Sequence, residues 1–394
     1  MNTYRVIMLG PRGSGKTVFL ASMYNQLCTQ GEGGFFLELE SVEKSKQLHD
    51  LYTQIAFEEK WPLGTRRSEV SEWTFTCRVQ TKDLPIYPAC KFTYLDYAGG
   101  LLTDQQIDQE DDPKLDEQVN KADALLGLLD GQRLCELMRN EQIGLRWAVK
   151  DLPQVLSIMQ KSGKPIHFVI SKWDIVEKEY TLKQIRDFLL KEIPHFKNLV
   201  SIYNKAGKPV RLIPVSAVGK DFANLQPDGS MTKNLSILPK PFQVEIPLAC
   251  VLPDIIQADC KAAIDKMREQ ANRPIEVKAN LNWWEQVGQV VGGGLKAAQD
   301  ILPTILDLFL PKKYVLFQDT VLKMVEFAGE YAETPAKQRQ EAAARRSEEL
   351  RQEKEELLKK VENEETAFKY ALNCFLSVQN DLNLKFPESD LKLP

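Results

Sequence analysis

Between residue 4 and about residue 220, short and almost continuously apolar runs alternate with longer stretches of helical periodicity. The runs are Tyr4–Leu9, Lys91–Leu95, Ala124–Leu129, Ile166–Ile170 and Val210–Val215. Runs without a polar face predict strands buried on both sides, and their alternation with helices predicts a mainly parallel α/β sheet. Glu72–Gln80 differs, because Trp73, Phe75, Cys77 and Val79 fall on one face and more polar residues on the other. That period of two predicts an edge strand, joined to the Lys91 run through the Pro-containing stretch 83–89.

The texture changes near residue 222. Asn224-Leu-Gln-Pro-Asp-Gly-Ser230 is turn chemistry, and Pro239, Pro241 and Pro247 punctuate the chain beyond it. A helix is expected over 248–270, and residues 280–394 read as helical throughout. The predicted organisation is an α/β domain over 1–270 and a helical region over 271–394. Within the latter, steps of four and three from Leu350 land on Leu357, Val361, Phe368, Ala371, Phe375 and Val378, so a long charged helix is expected near 336–378. Lys354 and Glu364 interrupt this register, which favours an antiparallel hairpin packed on its own domain over an intermolecular coiled coil. Trp283, Trp284 and the apolar stretch ending at Pro311 have some character of a membrane interface, but Glu285, Asp300 and Asp307 break the face. Packing against protein is the favoured expectation there.

Composition narrows the classes. The 394 residues, 43% of them apolar and 27% charged, suffice for two or three domains with real cores. The 51 Lys and Arg against 55 Asp and Glu give a charge of −4, which argues against a nucleic-acid partner. Seven scattered cysteines without a C-x-x-C pair, and three histidines, argue against a zinc site or a disulfide framework. No stretch of about 18 apolar residues stands in the chain and no signal peptide is visible, so a reduced, cytoplasmic protein is expected.

One motif carries chemistry outright. Gly10-Pro-Arg-Gly-Ser-Gly-Lys-Thr17 matches G-x-x-x-x-G-K-[ST] without a mismatch, after the strand Tyr4–Leu9 and before an amphipathic helix from Val18 to about Gln30. Gly10, Gly13 and Gly15 let backbone N–H groups approach phosphates, at a helix N-terminus whose dipole favours anions. Lys16 is the candidate for the β- and γ-phosphates and Thr17 for Mg²⁺. Ser14 and Val18 complete the stretch expected to line the nucleotide. Three further signals stand later in the chain, each at the end of an apolar run: Asp96-Tyr-Ala-Gly99, Ser171-Lys172-Trp-Asp174 and Ser216-Ala217. Asp96 is placed to hold the Mg²⁺ shell, and the Gly99 N–H to sense the γ-phosphate.

In these four motifs and their order, residues 1–220 resemble the GTPases of the translation-factor and Ras-like class, with the closing helix extending the likeness to about 270. The overall look is also similar to bacterial G proteins fused to helical or effector regions. The resemblance implies a P-loop NTPase fold of the Ras-like G-domain type, with GTP, GDP and Mg²⁺ as ligands. It implies that Asp174 pairs with guanine N1–H and the exocyclic amine, that the Lys172 stem lies on the base, and that the Ala217 N–H contacts guanine O6. The long interval between Lys16 and Asp96 implies insertions around switch I, with room for a strand over Phe35–Glu40 and a helix over about Glu43–Glu58. Thr65, before the Trp73 strand, is the candidate for the switch Mg²⁺ ligand.

Departures from the pattern bear on catalysis. Ser171 replaces Asn or Thr, and Val218 replaces Lys or Leu. Gly100 stands where small GTPases carry the glutamine that orients water, with Gln105 and Gln106 nearby in sequence only. Arg12 stands where they carry glycine, and Arg66 and Arg67 come directly after Thr65. A slow regulatory GTPase acting through the helical region is therefore the expectation, with an effector protein or self-association as its output. A non-hydrolysing GTP-bound scaffold and a dynamin-like membrane-assembling GTPase are the alternatives.

Overall fold

The computed structural model describes residues 1–63, 70–97, 113–226, 228–271 and 339–392. Its centre is a seven-stranded sheet. The strands are β1 (Thr3–Leu9), β2 (Phe36–Leu39), β3 (Val70–Gln80), β4 (Ile86–Tyr97), β5 (Ala124–Asp130), β6 (Ile166–Ser171) and β7 (Val210–Pro214), in spatial order β2-β3-β4-β1-β5-β6-β7. From β4 to β7 every neighbouring pair is parallel, whereas β2, β3 and β4 form an antiparallel meander.

Here one expectation is corrected. β3 is not the edge strand, because β2 pairs outside it with Leu37 opposite Cys77. The alternation over β3 reports burial on one face, which an internal antiparallel strand shows as readily as an edge strand. Trp73, Phe75, Cys77 and Val79 are indeed all buried.

Two apolar layers sandwich the sheet. Tyr4, Val6 and Met8 point into one, which α1 (Lys16–Leu27) and later helices cover. Ile7 and Leu9 point into the other. That second layer is covered by α3 (Pro113–Lys121), α4 (Gly131–Met138), α5 (Gln142–Lys150), α6 (Leu152–Ser162), the one-turn α7 (Trp173–Val176), α8 (Leu182–Glu192) and α9 (Pro194–Lys205). Before β3, α2 (Val42–Phe57) starts at a Ser41 cap whose hydroxyl accepts from the Lys44 N–H. After β7 comes a short hairpin, β8 (Ala223–Leu225) with β9 (Met231–Lys233), and then α10 (Ile246–Ala271).

The charged C-terminal stretch is two helices, α11 (Arg339–Lys359) and α12 (Glu364–Lys385), rather than one long helix near 336–378. Asn363 breaks it. Its side chain accepts from the Thr366 N–H and the Thr366 hydroxyl accepts from the Asn363 N–H, a reciprocal cap that starts a new helix. The two helices run antiparallel, since Asn380 near the end of α12 donates to the Ala343 carbonyl near the start of α11.

α12 is built into the core. Phe375 packs edge-on against Phe35 at 4.8 Å and Phe92 at 5.9 Å, so the helix lies on β4 within the same apolar layer as α1. Beyond it the chain returns to the opposite sheet margin, where the Leu391 N–H donates to the Val210 carbonyl on β7. No described helix is long and apolar enough to cross a membrane. None of the seven cysteines is disulfide-bonded.

Candidate functional site

β1 delivers the chain to the carboxyl edge of the parallel strands, where Gly10–Gly15 turns it into α1. Gly13 and Gly15 sit at φ 84° and 90°, left-handed values that a side chain would make costly. No atom lies within 4 Å of where a Cβ would project from either residue, so it is conformation, not crowding, that requires glycine. The turn is braced from inside. The Ser14 N–H donates to the Pro11 carbonyl at 3.2 Å, and the buried Lys16 ammonium donates to the carbonyls of Gly10 at 2.7 Å and Pro11 at 3.2 Å. Burial lowers the Lys16 pKa, and the Asp96 carboxylate opposes that shift.

β4 runs alongside β1 and brings Asp96 opposite Met8. The carboxylate is 2% exposed, and its Oδ2 accepts a 3.3 Å hydrogen bond from the Thr17 hydroxyl. Two hard oxygen donors thus converge at the start of α1, the donor chemistry that Mg²⁺ takes.

The far wall comes from the ends of β6 and β7. Lys172 adopts a left-handed conformation at φ 54°, and the chain enters α7 with the Trp173 N–H donating to the Val215 carbonyl at 3.1 Å. This turn buries Asp174 to 3% exposure. Its Oδ1 accepts from the Ser216 hydroxyl at 2.5 Å, and that hydroxyl oxygen accepts from the Gly219 N–H at 2.8 Å. Burial raises the Asp174 pKa, with the Ser216 hydrogen bond acting against it. Ser171 is used within the sheet, donating to the Leu129 carbonyl at 3.3 Å. The Lys172 ammonium pairs with Asp130 Oδ2 at 2.8 Å, while Asp130 Oδ1 caps α4 by accepting from the Gln132 N–H at 3.0 Å.

Between these walls lies a cavity of about 320 Å³, in the range of ligand pockets. Arg12, Gly13, Gly15, Lys16, Thr17 and Val18 bound one side, and Ser171, Lys172, Asp174, Ala217 and Val218 the other. Leu128, Val169 and Val215 also line it. Arg12 is exposed to solvent. Gly10 and Ser14 are buried under the loop, and Asp96 is tied to the pocket through Thr17. Thr65, Gly99, Gly100, Gln105, Gln106, Arg66 and Arg67 lie outside the described residues, as do Trp283 and Trp284.

Sequence reasoning missed Asp130 and several of the lining residues. Asp130 had a signal, a carboxylate ending an apolar strand just before Gly131. Trp61 and Met231, which also line the cavity, had none.

Neither a protein family nor a curated protein matches the chain. Among solved structures it is similar to the crystal structure of the bacterial selenocysteine-specific elongation factor EF-Sec, at 10% identity and a TM-score of 0.27. That alignment covers 55% of this chain and 26% of the other, so the chain spans about a quarter of that protein's length.

Proposed function

We propose that the chain is a P-loop NTPase with a Ras-like G domain that binds GTP and GDP with Mg²⁺ and turns GTP over slowly as a molecular switch. The observation that carries this reading is the convergence on one cavity of the Gly10–Thr17 loop, the buried Asp174 and the Ser216-Ala217 turn.

Each residue then has a task that its surroundings support. The loop N–H groups and Lys16 hold the phosphates, and Thr17 with Asp96 holds the metal. A Mg²⁺ ion held by these residues would supply charge neutralisation at the phosphate oxygens. Asp174, kept as an acceptor by Ser216, takes the two N–H donors on the guanine edge. The Lys172 stem, steadied by Asp130, lies along the base, and the Ala217 N–H faces its carbonyl oxygen. From their positions in the sequence, Thr65 would be a further metal ligand and the Gly99 N–H would read the γ-phosphate. The partner is an effector protein, or a second copy engaging the helical region, in the cytoplasm. Support for that route is α12, which packs on the strand that carries Asp96.

The sequence position of Gly100 favours a second reading, a GTP-bound scaffold that does not turn over, since no side chain there can orient water. Turnover by the purified chain over a protein concentration series separates the two. The switch reading expects basal hydrolysis at about 10⁻⁴–10⁻² s⁻¹. It expects Arg12→Ala to leave that basal rate within about threefold, because Arg12 is exposed to solvent where it lines the cavity. Complete absence of turnover at every concentration supports the scaffold instead.

A further inference from the structure

The β8–β9 hairpin interrupts the chain between the Ser216-Ala217 turn and α10, and it is fastened at both ends. At its base, the Lys233 ammonium donates to three carbonyls where α2 ends: Gln54 at 3.0 Å, Glu58 at 2.8 Å and Lys60 at 3.0 Å. Those three bonds use every ammonium proton and place a cation at the negative end of a helix. The same ammonium lies 4.6 Å from the centroid of the Trp61 ring. Trp61 in turn donates its indole N–H to the Met231 carbonyl at 2.7 Å, so ring and hairpin hold each other. At its tip, the Gly229 carbonyl accepts from Gln132 Nε2 at 3.2 Å, and Gln132 adjoins the Asp130 that pairs with Lys172. Between the two fastenings, Met231 and Trp61 line the same cavity as Asp174 and Lys16.

We propose that the hairpin is a clasp on the bound nucleotide, with Trp61 and Met231 as its contact surface and Lys233 as the positioning residue that keeps Trp61 against the pocket. A nucleoside seated in the cavity would lie beside an indole ring that is restrained by one hydrogen bond and one cation–π contact, both of which end on the hairpin. Displacing the hairpin breaks both of these contacts and the three Lys233 bonds to the end of α2. The clasp therefore governs how long nucleotide stays, whichever phosphate state it carries, and a partner that pulled the hairpin away from α2 would act as a release factor. This inference rests on the nucleotide reading of the pocket.

The test is dissociation of a fluorescent N-methylanthraniloyl GDP from the full chain, with intrinsic tryptophan fluorescence monitored in parallel. Lys233→Met keeps the stem and removes the charge, and should speed release by about tenfold or more. Lys233→Arg should keep release within about threefold of wild type, since it restores a cation with several donors. Trp61→Phe should reduce the nucleotide-dependent part of the tryptophan signal, and Trp173→Phe, beside Asp174, serves as the control that separates the two reporters. A merely structural role would lower the melting temperature of the nucleotide-free Lys233→Met chain and leave release unchanged. Normal binding with release unaltered in Lys233→Met overturns the clasp alone. Failure of wild type to bind guanine nucleotide overturns the pocket reading and the clasp together.

Discussion

The Ser216 hydroxyl donates a 2.5 Å hydrogen bond to Oδ1 of the buried Asp174. One short contact thereby ties the turn after β7 to the turn after β6, and it acts against burial on the carboxylate assigned to base recognition. Burial favours the neutral acid, and the hydroxyl favours the carboxylate.

Ser216→Ala removes the largest of the influences that oppose burial. The Asp174 pKa then rises further, and the Gly219 N–H loses its acceptor. The variant should bind GDP about tenfold more weakly at pH 7, the effect of a lost hydrogen bond to a charged group. For wild type the folded-state pKa of Asp174 already lies above its ordinary 3.8. Binding that needs the carboxylate should therefore weaken as pH falls through that raised value, and in Ser216→Ala the loss should begin at a higher pH. Fold stability moves in the opposite sense. The buried carboxylate costs stability above the raised pKa, and protonation relieves that cost as pH falls. GDP titrations of both chains at a series of falling pH values check the weakening and the displacement between them.

Lys16→Ala should leave the fold standing and remove tight triphosphate binding. The ammonium holds only the Gly10 and Pro11 carbonyls in the loop, and water replaces it there. Each charged hydrogen bond to phosphate is worth about 1.5–3 kcal/mol, so affinity for GTP should fall at least tenfold. Isothermal titration beside a urea unfolding curve checks this, and an unchanged GTP affinity contradicts the assigned role.

A buried ion pair predicts a stability effect away from the pocket. Arg211 on β7 forms a fork with Asp254 on α10, at 2.7 and 3.0 Å, and Gln379 on α12 donates to the same carboxylate at 3.0 Å. Asp254→Ala strands the buried guanidinium and should cost about 3–5 kcal/mol in urea unfolding. His167 Nε2 lies 3.3 Å from Asp254 Oδ2. Burial, more than the neighbouring charges, holds its pKa down at about 4 against an ordinary 6.5. The unfolded chain thus takes up this proton first, and stability should drop as pH falls from 6.5 to about 4, by on the order of 3 kcal/mol. His167→Phe should flatten that portion of the pH profile.

Much of this arrangement is readable from residue order alone, for identifiable reasons. Parallel strands buried on both faces leave unbroken apolar runs, and the expected runs at Tyr4, Ala124, Ile166 and Val210 lie within or overlap β1, β5, β6 and β7. The loop motif is legible because glycine is needed at the left-handed Gly13 and Gly15. The features that stayed hidden depend on contacts distant in sequence. β9 has three residues, too few to show a period, and its position rests on Lys233 reaching α2. The pairing of Lys172 with Asp130 joins two strand ends that the sheet order makes neighbours. Over 336–378 the apolar register favours a hairpin through its interruption at Glu364, but the turn itself is fixed by the Asn363 cap, which the apolar pattern does not mark.

The central claim is guanine selection by Asp174, and one competition experiment tests it most directly. Wild type and Asp174→Asn are titrated with GDP, ADP and XDP under identical Mg²⁺ and salt. A carboxylate pairs with two guanine donors, whereas a carboxamide presents one acceptor and one donor group. Wild type should prefer GDP over ADP by at least about a hundredfold. Asp174→Asn should lose several kcal/mol of GDP affinity and shift its preference to XDP. Equal wild-type affinity for ADP and GDP, or an Asp174→Asn variant that still prefers GDP, would contradict it.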